Sequence, residues 1–172
     1  MSRRLRAAIT LLVLTVVLLA GGAWAWSALF SPLPESVFGG GEEEAVCTDR
    51  EVEAGSRLTP DGVTVSVVNA GDRQGAAGQT LERLVDAGFA EGVEDNAPDD
   101  ADVRRVQIWT DDPSSPAVRL VASYLGDPRI EQREVDVPGV YVVVGDEFDE
   151  LSEGRPRIRV PDDTTVCGPA GA

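Results

Sequence analysis

Two cysteines, a glycine-rich turn and a scatter of carboxylates are the parts of this 172-residue chain whose residue types could do chemistry. Histidine is absent, so no imidazole base or imidazole metal ligand exists. Ser-His-Asp and Cys-His schemes are excluded with it. Cys47 and Cys167 stand 120 residues apart and bracket most of the chain. In an oxidising compartment a disulfide between them is the simple expectation. Closing so long a loop is worth roughly 4–5 kcal/mol in the chain-entropy model. The alternative is a pair of unrelated thiols. Two cysteines without histidine make a poor zinc site.

Catalysis by carboxylates alone needs two acids in a cleft about 5–10 Å apart, and nothing in the pattern places a pair that way. Asp95, Asp99, Asp100 and Asp102 gather in one predicted loop, but their spacing lacks the EF-hand pattern with its closing Glu. They read as a solvated turn, as do Asp111-Asp112 and the run Asp146, Glu147, Asp149, Glu150. The expectation is therefore no catalytic residue, no metal and no cofactor.

The segment with more to offer is Asn69 to Gly78, which joins a strand to a helix and holds three glycines. Backbone N–H groups at such a helix N-terminus favour an anion. The segment lacks the Gly-Lys-Ser/Thr ending of a P-loop and the Gly-x-Gly-x-x-Gly of a dinucleotide site. Asn69, Gly71, Arg73 and Gly75 are the candidate ligand-binding residues, with Arg73 placed to meet a phosphate or carboxylate. The competing reading is structural: small residues permit a tight turn and let the helix lie close on the sheet.

The elements that must position this turn follow from periodicity. Val63 to Val68 is a β-branched strand. Ala77, Leu81, Leu84 and Val85 give one face of a helix over about 75–87, with Gly88 as its stop. Strands are expected at 89–96 and 103–110. Ser115 then caps a helix with Pro116 in its first position, and Ala117, Leu120, Val121, Tyr124 and Leu125 form its apolar stripe. Gly126 and Pro128 end it. Two more strands follow at 130–135 and 140–144. Residues 47–61 read as an irregular arm, and the tail to Cys167 shows little pattern. The order β-α-β-β-α-β-β implies an α/β fold: a two-layer sandwich in which two helices cover a mixed sheet.

The N-terminus carries a different signal. Arg3, Arg4 and Arg6 precede a run without Asp, Glu, Lys or Arg from Ala7 to Phe30. A bilayer core of roughly 30 Å takes about 20 apolar residues as a helix. Trp24 and Trp26 fall where indoles prefer the headgroup level, and the arginines belong on the cytoplasmic side. The expected organisation is a cytoplasmic stretch over 1–6, a transmembrane helix over 7–29, a flexible spacer over 30–46 and an extracytoplasmic domain over 47–172 with its core at 63–148. The alternative is a cleaved signal peptide with its site at Ala23-Trp24-Ala25. The spacer is rich in Pro, Gly and Glu.

Charge is one-sided. All 30 acids follow position 34, with 12 of the 15 arginines, so that part carries a formal −18. Such a surface repels nucleic acid, and solubility is its plain explanation. Lysine is absent.

The strand Val63 to Asn69, the turn with Gly71 and Gly75 to Gly78, and the helix ending Ala87-Gly88-Phe89 together resemble the start of the LytR C-terminal domain. Val106 to Trp109, Ala117 to Ala122 and Val140 to Phe148 resemble its later part. The whole layout is similar to that of actinobacterial envelope integrity proteins. The resemblance implies an extracytoplasmic role in maintaining the cell envelope, with an envelope protein or cell-wall component as partner, and supplies no catalytic residue. In many proteins this domain follows a LytR-CpsA-Psr glycopolymer transferase, which is not found in this chain. Three functions follow for comparison: a non-enzymatic envelope module, which includes an accessory to such a transferase; a small-ligand-binding domain using the turn at 69–75; and a carboxylate enzyme.

Overall fold

The computed structural model describes residues 46–169, together with Thr15 and Leu19. The membrane helix expected over 7–29 and the spacer over 30–46 lie outside the described residues, apart from Thr15, Leu19 and Val46. Among the described residues no helix is long and apolar enough to cross a membrane.

In chain order the domain runs through β1 (Cys47–Val52), β2 (Arg57–Leu58), a 3-10 turn (Pro60–Gly62), β3 (Thr64–Asn69), α1 (Ala76–Asp86), β4 (Ala90–Asn96), β5 (Val106–Thr110), α2 (Pro116–Leu125), β6 (Arg129–Gln132), β7 (Val140–Val144), β8 (Ile158–Arg159) and β9 (Thr164–Pro169). Five of these strands make one mixed sheet in the order β4-β3-β7-β5-β6. The two helices connect parallel neighbours, β3 to β4 and β5 to β6. β7 slots between the two β-α-β units, parallel to β3 and antiparallel to β5. The two units therefore run in opposite directions on either side of a shared central strand. This is the mixed α/β sheet with two helices that the periodicity implied.

β3 and β7 are flanked on both edges and covered on both faces, so their near-continuous apolar sequences follow from position. Val65, Val67, Val106, Ile108, Val140, Val142 and Val144 share one core with Leu81 and Leu84 of α1 and Leu120, Val121 and Leu125 of α2. Both helices thus pack on one face. The other face holds Val68, Trp109, Tyr141 and Val143, and irregular segments carrying Ala97, Ala101, Val103, Val135 and Val137 cover it. Arg133 lies 4.2 Å over the Trp109 ring. Burial pushes the Tyr141 phenol above its ordinary value, Asp95 adds to that, and Arg133 opposes it.

The helix ends show how local sequence sets the boundaries. Gly88 takes φ +101°, open to glycine at little cost. The Phe89 N–H then donates to Leu84 O at 3.1 Å and Gly88 N–H to Val85 O at 2.9 Å. These are the two bonds of a Schellman stop. α2 begins at Ser115, but its hydroxyl makes no capping bond. Asp112 organises that corner instead: its Oδ1 accepts from the Ser114 N–H at 3.0 Å and from the Ser114 hydroxyl, and its carbonyl accepts from the Ser115 N–H. The expected α1 stripe also needs one change. Val85 is 37% exposed, and Thr80 takes a buried place, its hydroxyl bonded to Ala76 O at 2.8 Å.

The arm and tail are not irregular, as their sequences implied. β1 pairs antiparallel with β9 over six residues, Cys47 opposite Pro169 and Asp49 opposite Cys167. β2 pairs with β8. Cys47 and Cys167 are joined in a disulfide with Cα atoms 5.5 Å apart. The two ends of the domain are therefore zipped and bolted together.

Candidate functional site

The glycine-rich turn leaves β3 at Asn69, on the edge of the sheet where β7 also ends. Parallel pairing sets this: Asn69 lies opposite Val144, so the segments after both strands emerge side by side. Asn69 shapes the turn with its own side chain. Its Oδ1 accepts from the Gly71 N–H at 3.1 Å, and its Nδ2 donates to Arg73 O at 3.0 Å. Gly75, with φ +74°, precedes α1.

The anion that such N–H groups attract is present, and it comes from the chain itself. Asp146, in the turn after β7, accepts from the Arg73 N–H at 3.0 Å and from the Asp72 N–H at 3.2 Å. Those two bonds, the Arg73 one first, hold its carboxyl below the ordinary carboxylate value. Gly71 leaves the room for this: a Cβ there would collide with the Asp146 carboxylate and backbone. Gly78, in the first turn of α1, makes similar room for Glu94, whose carboxylate oxygens would lie 2.7 Å from a Cβ.

Arg73 turns to the same partner segment. Its Nη1 sits 3.1 Å from Asp149 Oδ1, with the two side chains 42% and 79% exposed. An exposed pair of this kind is worth at most about 1 kcal/mol. Its Nη2 donates to Phe148 O, and Arg83 of α1 donates to Asp149 O. Phe148 is fully buried. Residues 145–149 are thus a second strand-end segment clamped onto the first, and Asp146 and Asp149 are not the simply solvated acids that their sequence implied.

The four candidate residues Asn69, Gly71, Arg73 and Gly75 do come together, but Asn69, Gly71 and Arg73 are engaged with their own chain. Asp146 is the residue that sequence reasoning missed. The signal that would have found it is strand adjacency: once β3 and β7 are parallel neighbours, the turns after them must meet. A cavity of about 520 Å³ opens beside the turn, lined by Asp72, Glu94 and Asp95 together with Asn69, Gly71 and Gly75. Arg73 does not line it. Its charge disfavours the phosphate or carboxylate that the turn alone had suggested. Of the other acids, Asp100 pairs with Arg133 at 3.2 Å. Among the described residues no three Cys, Asp or Glu gather in a way that could hold a metal ion.

A five-stranded mixed sheet, two helices on one face and a turn locked by the segment after the central strand define a small mixed α/β domain. Residues 62–148 match the family described as LytR cell envelope-related transcriptional attenuator, and the chain belongs to that family. The match takes in the turn at 69–75 and Asp146 but stops short of the β1–β9 and β2–β8 pairs. Among solved structures, the soluble domain of a conserved hypothetical secreted protein from Mycobacterium marinum is similar, at 23% identity and a TM-score of 0.45, over 59% of this chain and 78% of that one. No curated protein matches the chain.

Proposed function

We propose that this chain is a non-enzymatic envelope protein, held at the membrane by its N-terminal segment, whose domain supports cell-envelope integrity by binding a protein partner or wall component. The observation that carries this reading is the turn at 69–75. The N–H groups of Asp72 and Arg73, where a substrate anion would be received, are given to Asp146. Residues suited to catalysis or anion capture are used there to fix two strand ends against each other. A rigid surface serves recognition better than turnover. The family supplies the envelope context, and the disulfide fits an oxidising compartment outside the cytoplasm.

In-cell crosslinking of the full chain, followed by identification of what is captured, tests the proposal. Capture of an envelope protein or of wall material is the expected outcome. Capture of a LytR-CpsA-Psr transferase would make the chain that enzyme's accessory. Deletion of the gene with no change in permeability or antibiotic sensitivity would sink the integrity role.

One observation favours a second reading, a small-ligand-binding domain. The cavity beside the turn is large enough for a small molecule. Its acids select a cationic or hydroxyl-rich ligand. Titrating the chain with amino sugars and following Asn69 and Gly75 amide shifts by NMR distinguishes this reading from a module that binds a protein partner, which expects no shift.

A further inference from the structure

The acidic domain contains one cleft of the opposite sign. β2 and β8 form a two-residue ladder with Leu58 opposite Ile158 and Arg57 opposite Arg159. Leu58 and Ile158 are buried, so strand alternation sends Arg57 and Arg159 outward, and Arg157 with them. A cavity of about 530 Å³ lies there, lined by Gly55, Ser56, Arg57, Arg157, Ile158 and Arg159. Half of those residues are arginines and none is acidic. That segregation is notable in a region where acids outnumber arginines 30 to 12.

The arginines are also poorly compensated. Arg73 and Arg133 each pair with an aspartate. The Arg159 side chain donates only to Gly55 O, at 3.3 Å. Among the described residues the side chains of Arg57 and Arg157 take no hydrogen-bond or ion-pair partner. Like charges directly opposite across an antiparallel pair destabilise it. The arrangement lowers the stability of the free domain and gives nothing back unless a counter-charge enters the cleft. The local backbone adds no donors to the cleft, since Gly55 N–H donates to Val160 O and Ser56 N–H to Glu53 O.

We propose that the cleft between β2 and β8 binds a phosphate-bearing anion, with Arg57, Arg157 and Arg159 as its ligands. Guanidinium forks match phosphate oxygens in pairs and form charge-assisted hydrogen bonds. Three of them around one cavity can share the oxygens of one phosphate group or of a pyrophosphate. The site lies outside residues 62–148, so it does not follow from the family match. It is independent of the turn at 69–75.

The test is calorimetric titration of the full-length chain with sodium pyrophosphate, and separately with short-chain dihexanoyl phosphatidylglycerol below its micelle concentration. Dihexanoyl phosphatidylcholine is the zwitterionic control. Pyrophosphate binding that weakens about tenfold or more in Arg57→Gln/Arg157→Gln is expected, since that corresponds to losing about one charge-assisted bond. Arg119→Gln, on exposed α2 surface, should leave binding unchanged. Arginine-dependent binding of phosphatidylglycerol without pyrophosphate binding would place the source in a lipid headgroup and support the same chemistry. The double variant should melt no lower than the parent, because it relieves like-charge opposition, so lost binding cannot be ascribed to unfolding. No binding of either probe, or equal binding by the double variant, overturns the proposal.

Discussion

Asp146 shows how one side chain can settle what a motif is for. The turn at 69–75 offers donors to an anion, and a carboxylate 73 residues away accepts from Arg73 N–H. Its folded-state pKa is lowered, so its contribution to stability is present above the ordinary value of 3.8 and is lost as pH falls through the lowered one. Asp146→Asn should therefore be less stable than the parent at neutral pH. The gap should begin to close below the ordinary value of 3.8, where the unfolded chain's carboxyl takes up its proton, and should vanish as pH falls through the lowered folded-state value. Urea unfolding at several pH values measures it, and a gap that stays constant with pH would refute the charge argument. Gly71→Ala tests the same joint from the other side. Its Cβ would displace the Asp146 carboxylate, so the expected result is a lower melting temperature and exchange-broadened amides at Asp72 and Arg73.

At the scale of elements, the two helix ends make contrasting predictions. Ser115 makes no side-chain cap, so Ser115→Ala should change stability by less than about 0.5 kcal/mol, far from the ~1 kcal/mol of a lost cap. Gly88 sits in the left-handed region with Pro60 Cβ 3.6 Å from a built Cβ. Gly88→Ala should cost about 1–2 kcal/mol from backbone strain alone. Thermal unfolding of both variants checks the pair.

The same contrast explains what could be read from the sequence. The two β-α-β units and β7 were legible because each carries its pattern locally: valine alternation, a 3.6-residue stripe, a glycine stop. β1 and β9 were not, because their strand character comes from pairing across more than a hundred residues, and the middle of β1 is exposed and polar. β2 and β8 are two residues long and leave no period to detect. The site was legible by half. Asn69, Gly71 and Gly75 stood out through their turn chemistry. Asp146 was hidden among other acids, since only the order of strands in the sheet reveals which acid meets the turn.

For the whole molecule the disulfide is the dominant single bond. Cys47→Ser/Cys167→Ser should lose about 4–5 kcal/mol in the chain-entropy model, with a smaller loss if the unfolded chain keeps residual structure. Chemical denaturation with and without reductant measures this. The β1–β9 ladder should fray before the five-stranded sheet in the reduced protein, seen as early hydrogen exchange at Asp49 and Val166 while Val142 stays protected.

The clasp also has a mechanical meaning. Cys47 and Pro169 are partners at one end of the ladder, and the bond between Cys47 and Cys167 closes the chain just inside that point. Tension applied between residues 46 and 169 therefore loads a covalent bond and not the sheet. In optical-trap pulling from those two positions, the oxidised domain should lengthen by little more than the few residues outside the bridge. The reduced one should release about 120 residues, on the order of 400 Å of contour. A domain wired in this way can be stretched at its ends while the fold between them carries no load.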